Sequence, residues 1–192
     1  MQLQTPEIVC WNGRFLEHRP EPRWDTSDPL CLRYRLEFDE VAIDAEFPTG
    51  ADWIDQVYTV VNRTGTAGEF GSSSCLSLLA SPGIYDCELW RTSALVGGRF
   101  VPWRRLPRDG ECAKWITGPF AERFGRPGDP AVLAVTSNDG RYTVATARAD
   151  DGGRHAVLVN TWYTCLHTDS AIIIPPGASR VTRQRIYALR GG

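Results

Sequence analysis

Four titratable side chains alternate in the segment WYTCLHTDS near the C-terminus. They are the phenol of Tyr163, the thiol of Cys165, the imidazole of His167 and the carboxylate of Asp169. Alternate side chains of an extended strand share one face, so these groups would lie together on one surface. Strand faces are normally either apolar or solvated, and a mixed titratable face beside aromatic residues therefore predicts a functional site.

The imidazole of His167 is the candidate general acid or base. A neighbouring carboxylate fixes the tautomer of a histidine and raises its pKa, and Asp169 lies two residues away on the same predicted face. A histidine that only bonds a carbonyl group at a strand end is the structural alternative. Cys165 would become a nucleophile if His167 lowered its pKa, although a buried packing thiol is the simpler interpretation.

A second candidate group lies in SPGIYDCELWRT, where a Ser-Pro-Gly turn precedes a predicted strand. Alternation places Arg91 on the same face as Cys87 and Leu89. A guanidinium on an apolar face requires a carboxylate, carbonyl groups or an anionic ligand. Asp86, Glu88 or Asp169 would provide a structural ion pair, and a bound ligand is the alternative. Asp86 is also a candidate to orient the catalytic imidazole.

The aromatic residues indicate what such a site would bind. The chain has seven tryptophans, an unusually large number, and five adjoin a charged residue: Trp24, Trp53, Trp90, Trp103 and Trp115. The C–H-rich faces of sugars stack on aromatic rings, while their hydroxyl groups need directional polar partners. Trp162 or Tyr163 is the predicted stacking platform. Core packing is the alternative role for any single tryptophan.

Several other functional classes lack support in the sequence. Three histidines occur without an HxH or HExxH pattern, so no metal site is expected. Dinucleotide and phosphate-binding glycine motifs are missing, and no cofactor is predicted. The formal net charge of −2 gives no electrostatic basis for binding nucleic acid. A small molecule or carbohydrate is the expected ligand, and the oligomeric state is left open.

The expected location is the cytoplasm. The first residues lack the basic and apolar regions of a signal peptide, and no apolar run has the length of a membrane span, so no membrane partner is expected. The six cysteines form no CxxC pair, which is typical of free thiols in a reducing compartment. The sequon Asn62-Arg63-Thr64 is therefore not expected to carry a glycan.

Glycine and proline divide the chain into short segments, which is typical of an all-β protein. Turns are predicted at Asp39-Glu40, Gly97-Gly98 and Asn138-Asp139-Gly140. Trp115–Phe124 favours a short helix that Gly118-Pro119 interrupts, so Arg108–Pro130 is predicted to be a long connection with a short helix. The predicted strands are Ile8–Leu16, Leu30–Phe38, Val41–Phe47, Trp53–Asn62, Ser73–Ala80, Cys87–Leu95, Arg99–Leu106, Ala131–Ser137, Tyr142–Arg148, His155–Leu166, Ile172–Ile174 and Ser179–Leu189.

The closing segments resemble those of galactose mutarotase-like β-sandwiches. A strand ending at Asn160, then CLHTDS, a Pro-Pro-Gly turn and the strand SRVTRQRIYAL follow in that order. The earlier VYTVVNRTG is similar to a strand and turn of the same sandwiches. The chain also resembles uncharacterised bacterial proteins with an Asp-then-Arg strand and a Cys-Leu-His segment, here Asp86, Arg91 and Cys165-Leu166-His167. The resemblance implies two packed sheets. A jelly-roll cupin is the rival architecture, but its two histidine motifs are missing.

Residues 1–192 are thus expected to form one all-β domain, an antiparallel β-sandwich with little helix. The predicted function is carbohydrate recognition with acid–base chemistry on a sugar or glycoside. His167 would be the acid or base, Asp169 or Asp86 its orienting partner and Arg91 a substrate-binding group. Such an enzyme would be an isomerase, lyase or hydrolase. A non-catalytic binding or assembly domain and a small-molecule isomerase or cyclase are the alternatives.

Overall fold

Short antiparallel strands joined by tight turns build the molecule. A computed structural model describes residues 2–16, 21–106, 115–116, 130–148, 154–160 and 164–191. Its strands are β1 (Gln2–Trp11), β2 (Arg14–Phe15), β3 (Cys31–Glu37), β4 (Val41–Pro48), β5 (Trp53–Asn62), β6 (Gly68–Ser77), β7 (Thr92–Val96), β8 (Arg99–Pro102), β9 (Trp115–Ile116), β10 (Ala131–Thr136), β11 (Tyr142–Arg148), β12 (Arg154–Asn160), β13 (Cys165–Ile174) and β14 (Ser179–Arg190).

The strands form two sheets that pack face to face. The six-stranded sheet has the order β2-β1-β6-β13-β12-β9, and the eight-stranded sheet has the order β3-β4-β5-β14-β11-β10-β7-β8. Neighbouring strands are antiparallel in both sheets. Within the described ranges the helical structure is a single 3-10 turn, Trp103–Arg105. The predicted antiparallel β-sandwich is confirmed. No helix in these ranges is long and apolar enough to span a bilayer.

The predicted turns lie between consecutive strands, and glycines occupy their positions of positive φ. Gly97 and Gly98, with φ of 56° and 77°, join β7 to β8, and Gly140, with φ of 71°, lies in the turn between β10 and β11. Positive φ is accessible to glycine at little cost because it has no Cβ atom. The Asp39-Glu40 pair joins β3 to β4, also as predicted.

Several predicted strands and the predicted helix are wrong in part. Asn12 and Gly13, both with positive φ, divide the predicted strand Ile8–Leu16 into β1 and β2, and the predicted strand Arg99–Leu106 ends at Pro102. The segment Cys87–Leu95 becomes extended only at Thr92, because the residues before it fold into turns. Trp115–Ile116 is the short strand β9, paired with β12, instead of the start of a helix. The rest of the predicted helix lies outside the described residues.

The predicted strand His155–Leu166 is divided into two. Strand β12 ends at Asn160, and the chain resumes as β13 at Cys165 after Thr164, which has a φ of 44°. Strand β13 then continues to Ile174, so the separately predicted strand Ile172–Ile174 is its last part. Trp162 and Tyr163, the predicted stacking platform, lie outside the described residues.

The interior contains two apolar clusters with polar side chains between them. Along β13, Leu166 belongs to one cluster and Ile172 to the other, and buried Thr168 and Ser170 separate them. The same sequence of apolar and polar side chains occurs on β6. We call the separating side chains the polar belt: Gln56, Ser72, Ser74, Thr146, Arg148, Thr168, Ser170, Thr182 and Gln184.

Hydrogen bonds within and between the two sheets stabilise the polar belt. Gln184 Nε2 donates to Thr146 Oγ1 at 2.7 Å, and Thr146 Oγ1 lies 3.2 Å from Thr168 Oγ1. Arg148 reaches from β11 to the opposite sheet, where Nη1 donates to the Ser72 carbonyl oxygen at 3.1 Å. These bonds offset the free-energy cost of burying polar groups, several of which would otherwise be unpaired.

An irregularity in β1 adds one more residue to this network. The pairing register of β1 with β6 shifts between Gln4 and Ile8, and Thr5 lies in the shifted segment. Its hydroxyl donates to Gln56 Oε1 at 2.6 Å, and its carbonyl oxygen accepts a bond from the Tyr34 hydroxyl at 2.9 Å. A bulge re-aims a side chain, here toward the polar belt.

The sequon asparagine is a structural residue of the sandwich edge. Asn62 is 1 % exposed, and its Nδ2 donates to the carbonyl oxygens of Thr66, Ile174 and Pro175. Its Oδ1 accepts bonds from the backbone N–H and the hydroxyl of Thr64. The amide nitrogen therefore binds the chain itself, which explains the residue without a glycan.

Candidate active site

Strand pairing in the six-stranded sheet builds a cluster of polar side chains on the face turned away from the other sheet. In β13, Leu166 and Thr168 point into the sandwich, so the residues at alternating positions point outward. His167 pairs across with Cys75 of β6 and Cys165 pairs with Ser77. We call the resulting set the outer-face cluster: Ser73, Cys75, Cys165, His167 and Asp169.

The donor atoms of three cluster residues lie close together and away from solvent. The sulfur atoms of Cys75 and Cys165 and a ring nitrogen of His167 all lie within 4.8 Å of one another. Their residues are 3 %, 6 % and 5 % exposed. The alternation in the sequence therefore correctly predicted that Cys165, His167 and Asp169 share a face, and the structure adds Cys75 from the neighbouring strand.

A serine from β6 holds the imidazole. The Ser73 hydroxyl oxygen lies 3.2 Å from Nδ1 of His167. A ring whose Nδ1 is bonded in this way keeps one orientation relative to β6. An orienting role for Asp169 or Asp86 stays a prediction.

The pKa of the Cys165 thiol is strongly lowered. A hydrogen bond with Cys75, assisted by bonds from His167 and Ser77 and by the charge of His167, lowers the pKa of the Cys165 thiol to about 5, although burial acts in the opposite direction. A thiol with such a pKa is largely thiolate near neutral pH, and the thiolate is the nucleophilic and metal-binding form of cysteine.

Asp169 has the opposite tendency. Burial raises the pKa of its carboxyl group, and the bond with Ser73 and the charges of His167 and Arg148 only partly oppose this effect. Its Oδ1 is buried and has no hydrogen-bond partner among the described residues. A carboxyl group with a raised pKa beside an imidazole is suited to carry a proton.

Asp86 and Arg91 contact each other and the loop that replaces the predicted strand. The Asp86 carboxylate accepts bonds from the backbone N–H groups of Trp90 and Arg91 and from the Thr92 hydroxyl, at 2.8–3.1 Å. Arg91 Nη2 donates to the Tyr85 carbonyl oxygen at 2.6 Å and lies 3.7 Å from Asp86 Oδ1. The guanidinium thus has the structural ion pair that was one of its two predicted roles.

The loop is connected to the outer-face cluster through the residue before β13. The backbone N–H of Asp86 donates to Thr164 Oγ1 at 2.9 Å, and Thr164 immediately precedes Cys165. Asp86 is 5 % exposed. The bond between Asp86 and Thr164 therefore connects the loop before β7 to the start of β13, where the outer-face cluster begins.

Solved structures with a related architecture identify the fold. One is assigned as an aldose 1-epimerase from Escherichia coli K12. The alignment covers 97% of this chain and 80% of the epimerase chain, at 12% sequence identity and a TM-score of 0.53. For a galactose mutarotase related enzyme from Lactobacillus acidophilus, the alignment covers 88% of this chain and 71% of the enzyme chain, at 7% sequence identity and a TM-score of 0.50. The chain has the galactose mutarotase-like β-sandwich fold. No family model and no curated protein matches it in sequence.

A separate concavity of this mutarotase-like sandwich lies near the edge formed by the β1–β2 and β3–β4 turns. This edge groove has a volume of about 690 Å³. It is lined by Trp11, Asn12, Gly13, Arg14, Phe15, Leu16, Glu37, Phe38, Asp39 and Glu40. Aromatic rings, an arginine and carboxylates occur there together, but none of the residues of the outer-face cluster lines it.

The sequence did not predict the roles of Cys75 and Ser73 in the cluster, or of Arg148 in the interior of the mutarotase-like fold. Cys75 and Ser73 lie about ninety positions from His167 in the chain, and only strand pairing brings them together. Their signal was the polar run SSSC within a predicted strand. Arg148 had a similar signal, because it continues the inward face that begins with Val144 and Thr146.

Replacing Asp86 with alanine is expected to lower the free energy of unfolding by about 2–3 kcal/mol. The change strands two backbone N–H groups and one hydroxyl that the buried carboxylate now accepts. Urea unfolding measures the effect. Asp139→Ala is the matched control, because Asp139 accepts similar loop bonds from Ser137 and Arg141 but is exposed. Equal losses in the two variants would contradict a structural role specific to Asp86.

Proposed function

We propose that the chain binds a carbohydrate at the outer face of the six-stranded sheet and uses His167 for acid–base chemistry on it. The bond of 3.2 Å between Ser73 Oγ and His167 Nδ1 carries the proposal, because it orients a ring that also has a carboxyl group on its strand face. Isomerisation, elimination and hydrolysis of sugars each require a proton to be taken from one atom and given to another. An oriented imidazole with a neighbouring carboxyl group supplies both functions.

The other predicted site residues have different roles in this proposal. Asp169 is the second proton carrier, since its buried Oδ1 has no partner in the described part of the chain. The backbone N–H of Asp86, in the loop before β7, binds Thr164 immediately before β13, and Arg91 pairs with Asp86. Trp162 and Tyr163 remain the predicted stacking platform, and one domain over residues 1–192 remains the expected extent of the unit.

The likeness to solved structures supports a sugar as the ligand class. The two similar structures described above are named for aldose and galactose chemistry. At 12% and 7% identity the likeness concerns the fold, so the choice of ligand rests on the proposal and needs a direct test.

Non-catalytic binding in the edge groove is the second candidate function. Its support is the groove volume of about 690 Å³ together with Phe15, which is 66 % exposed at the groove. An exposed ring beside Arg14 and Glu37 offers a sugar or a peptide a stacking surface and polar partners.

A ligand panel measured by thermal shift separates the two functions. A ligand that binds only the folded chain raises its melting temperature, so sugars, uronates and glycosides are compared with buffer. We expect at least one sugar to raise the melting temperature of the wild type and of Phe15→Ala by the same amount. Loss of the shift in Phe15→Ala would favour the edge groove, and the absence of a shift with every sugar would contradict carbohydrate binding.

A further inference from the structure

We propose that Cys75, Cys165 and His167 form a binding site for a thiophilic metal ion, and that Zn²⁺ is the ion that suits it best. Their donor atoms lie within 4.8 Å of one another. All three residues are buried. Two sulfur atoms and one imidazole nitrogen are among the donor sets that zinc takes in proteins.

The positions of the donors require little rearrangement. Zinc binds sulfur at about 2.3 Å and nitrogen at about 2.0 Å, so tetrahedral donors lie roughly 3.4–3.8 Å apart. No pair of the three atoms therefore needs to approach by more than about 1.0–1.4 Å. Cys165 and His167 come from alternate positions of one strand, and Cys75 pairs with His167 across the sheet. The paired backbones thus hold all three donors before a metal binds.

Sheet geometry favours a metal over a disulfide bond between the two thiols. Cys75 pairs with His167 and Cys165 pairs with Ser77, so the two cysteines are diagonal neighbours. Diagonal residues are separated by about 7–8 Å, whereas the Cα atoms of a disulfide usually lie about 4.4–6.8 Å apart. Neither cysteine is part of a disulfide bond in the structure. A single metal ion can bridge the two sulfur atoms without moving the strands together.

Three protein ligands leave a fourth tetrahedral position for water or another small ligand. Asp169, two residues after His167 on the same strand face, has a buried Oδ1 with no hydrogen-bond partner in the described ranges. A metal-bound water is a hydrogen-bond donor, and a carboxylate of this kind accepts such a bond. The site chemistry favours thiophilic ions, because Mg²⁺ and Ca²⁺ prefer sets of oxygen ligands.

This inference goes beyond the proposed carbohydrate function and stands without it. A metal on the His167 ring would occupy the imidazole that the proposed acid–base chemistry uses. Zinc is therefore expected to inhibit any sugar turnover that depends on free His167. Metal binding is measured without sugar and sugar binding is measured on the metal-free chain, so the failure of either proposal leaves the other intact.

The test is a zinc titration of the full-length chain. The protein is reduced, stripped of metal with a chelator, and titrated with Zn²⁺ against a chromophoric competitor. We expect one ion per chain, and a loss of affinity of about 100-fold or more in Cys75→Ser and in Cys165→Ser, since even outer-shell changes cost about 10–100-fold. Cys87→Ser, at an exposed thiol, and Cys31→Ser, at a buried thiol outside the cluster, should bind zinc as the wild type does.

Cobalt gives a readout that does not depend on the variants. Co²⁺ bound by thiolates produces a near-ultraviolet charge-transfer band, which we expect in the wild type and in Cys87→Ser. Circular dichroism checks that each serine variant is folded. Absence of the band in the wild type would overturn the proposal even if a variant fails to fold. Unchanged zinc affinity in folded Cys75→Ser and Cys165→Ser would overturn it as well.

Discussion

Arg148→Ala is expected to lower the free energy of unfolding by about 2–5 kcal/mol, the usual cost of removing a large buried side chain. Arg148 is 1 % exposed and lies in the polar belt between the two sheets. It donates to the carbonyl oxygen and the hydroxyl of Ser72 at 3.1 and 3.2 Å. The alanine variant leaves a cavity and strands these acceptors in the interior. Urea unfolding followed by tryptophan fluorescence measures the loss.

Two further variants show whether the loss of stability comes from the lost volume, the lost charge or the burial of Arg148. Arg148→Met keeps most of the volume and removes the charge, and we expect it to lose less stability than the alanine variant, because apolar replacement of a buried charge is often tolerated. Arg141→Ala removes an arginine whose side chain is 79 % exposed, and its stability should equal that of the wild type. If Arg148→Ala were as stable as Arg141→Ala, the claim that buried Arg148 stabilises the polar belt would be wrong.

His167→Ala is expected to reduce sugar turnover by about 10²–10⁴-fold, the contribution typical of a general acid or base. The expected loss follows from the proposed role of the imidazole that Ser73 orients. Because His167 is 5 % exposed and bonded to Ser73, the variant should also lose about 1–3 kcal/mol of stability. Turnover and affinity are therefore measured on metal-free protein well below the melting temperature of the variant.

Matched variants distinguish chemistry from folding in this experiment. Ser73→Ala keeps the imidazole but removes its hydrogen bond, so turnover should fall while sugar affinity changes little. His155→Ala, at the half-buried histidine of β12, controls for the loss of a histidine from the same sheet. A destabilised His167→Ala that binds and turns over sugar normally would rule out the assignment of the site to this strand.

Local sequence patterns determined the elements of this fold. Glycine and proline turns, strand-length segments and the pairs Gly97-Gly98 and Asp139-Gly140 predicted an antiparallel sandwich, and the strands confirm it. The shared face of Cys165, His167 and Asp169 could be predicted as well. Both follow from the two-residue period of an extended chain, which depends only on neighbouring residues.

Asp86 shows how hydrogen bonds from one side chain to nearby backbone groups replaced the extended conformation that its segment favours. The sequence around it alternates as a strand does, but its carboxylate binds the backbone N–H groups of Trp90 and Arg91 and bends the segment into turns. The gain from satisfying these buried groups exceeds the weak preference for an extended chain. Residue periodicity contains no information about which backbone groups a side chain will reach.

The composition of the candidate site was decided by the tertiary structure. Cys75 and Ser73 join His167 because β6 pairs with β13 in one register, and a shift of one residue would turn them to the other face. Arg148 reaches Ser72 only because the two sheets pack together. Register and sheet packing depend on contacts between distant segments. The sequence by itself therefore determined which residues of one strand share a face, and the packed sheets decided which partners meet them there.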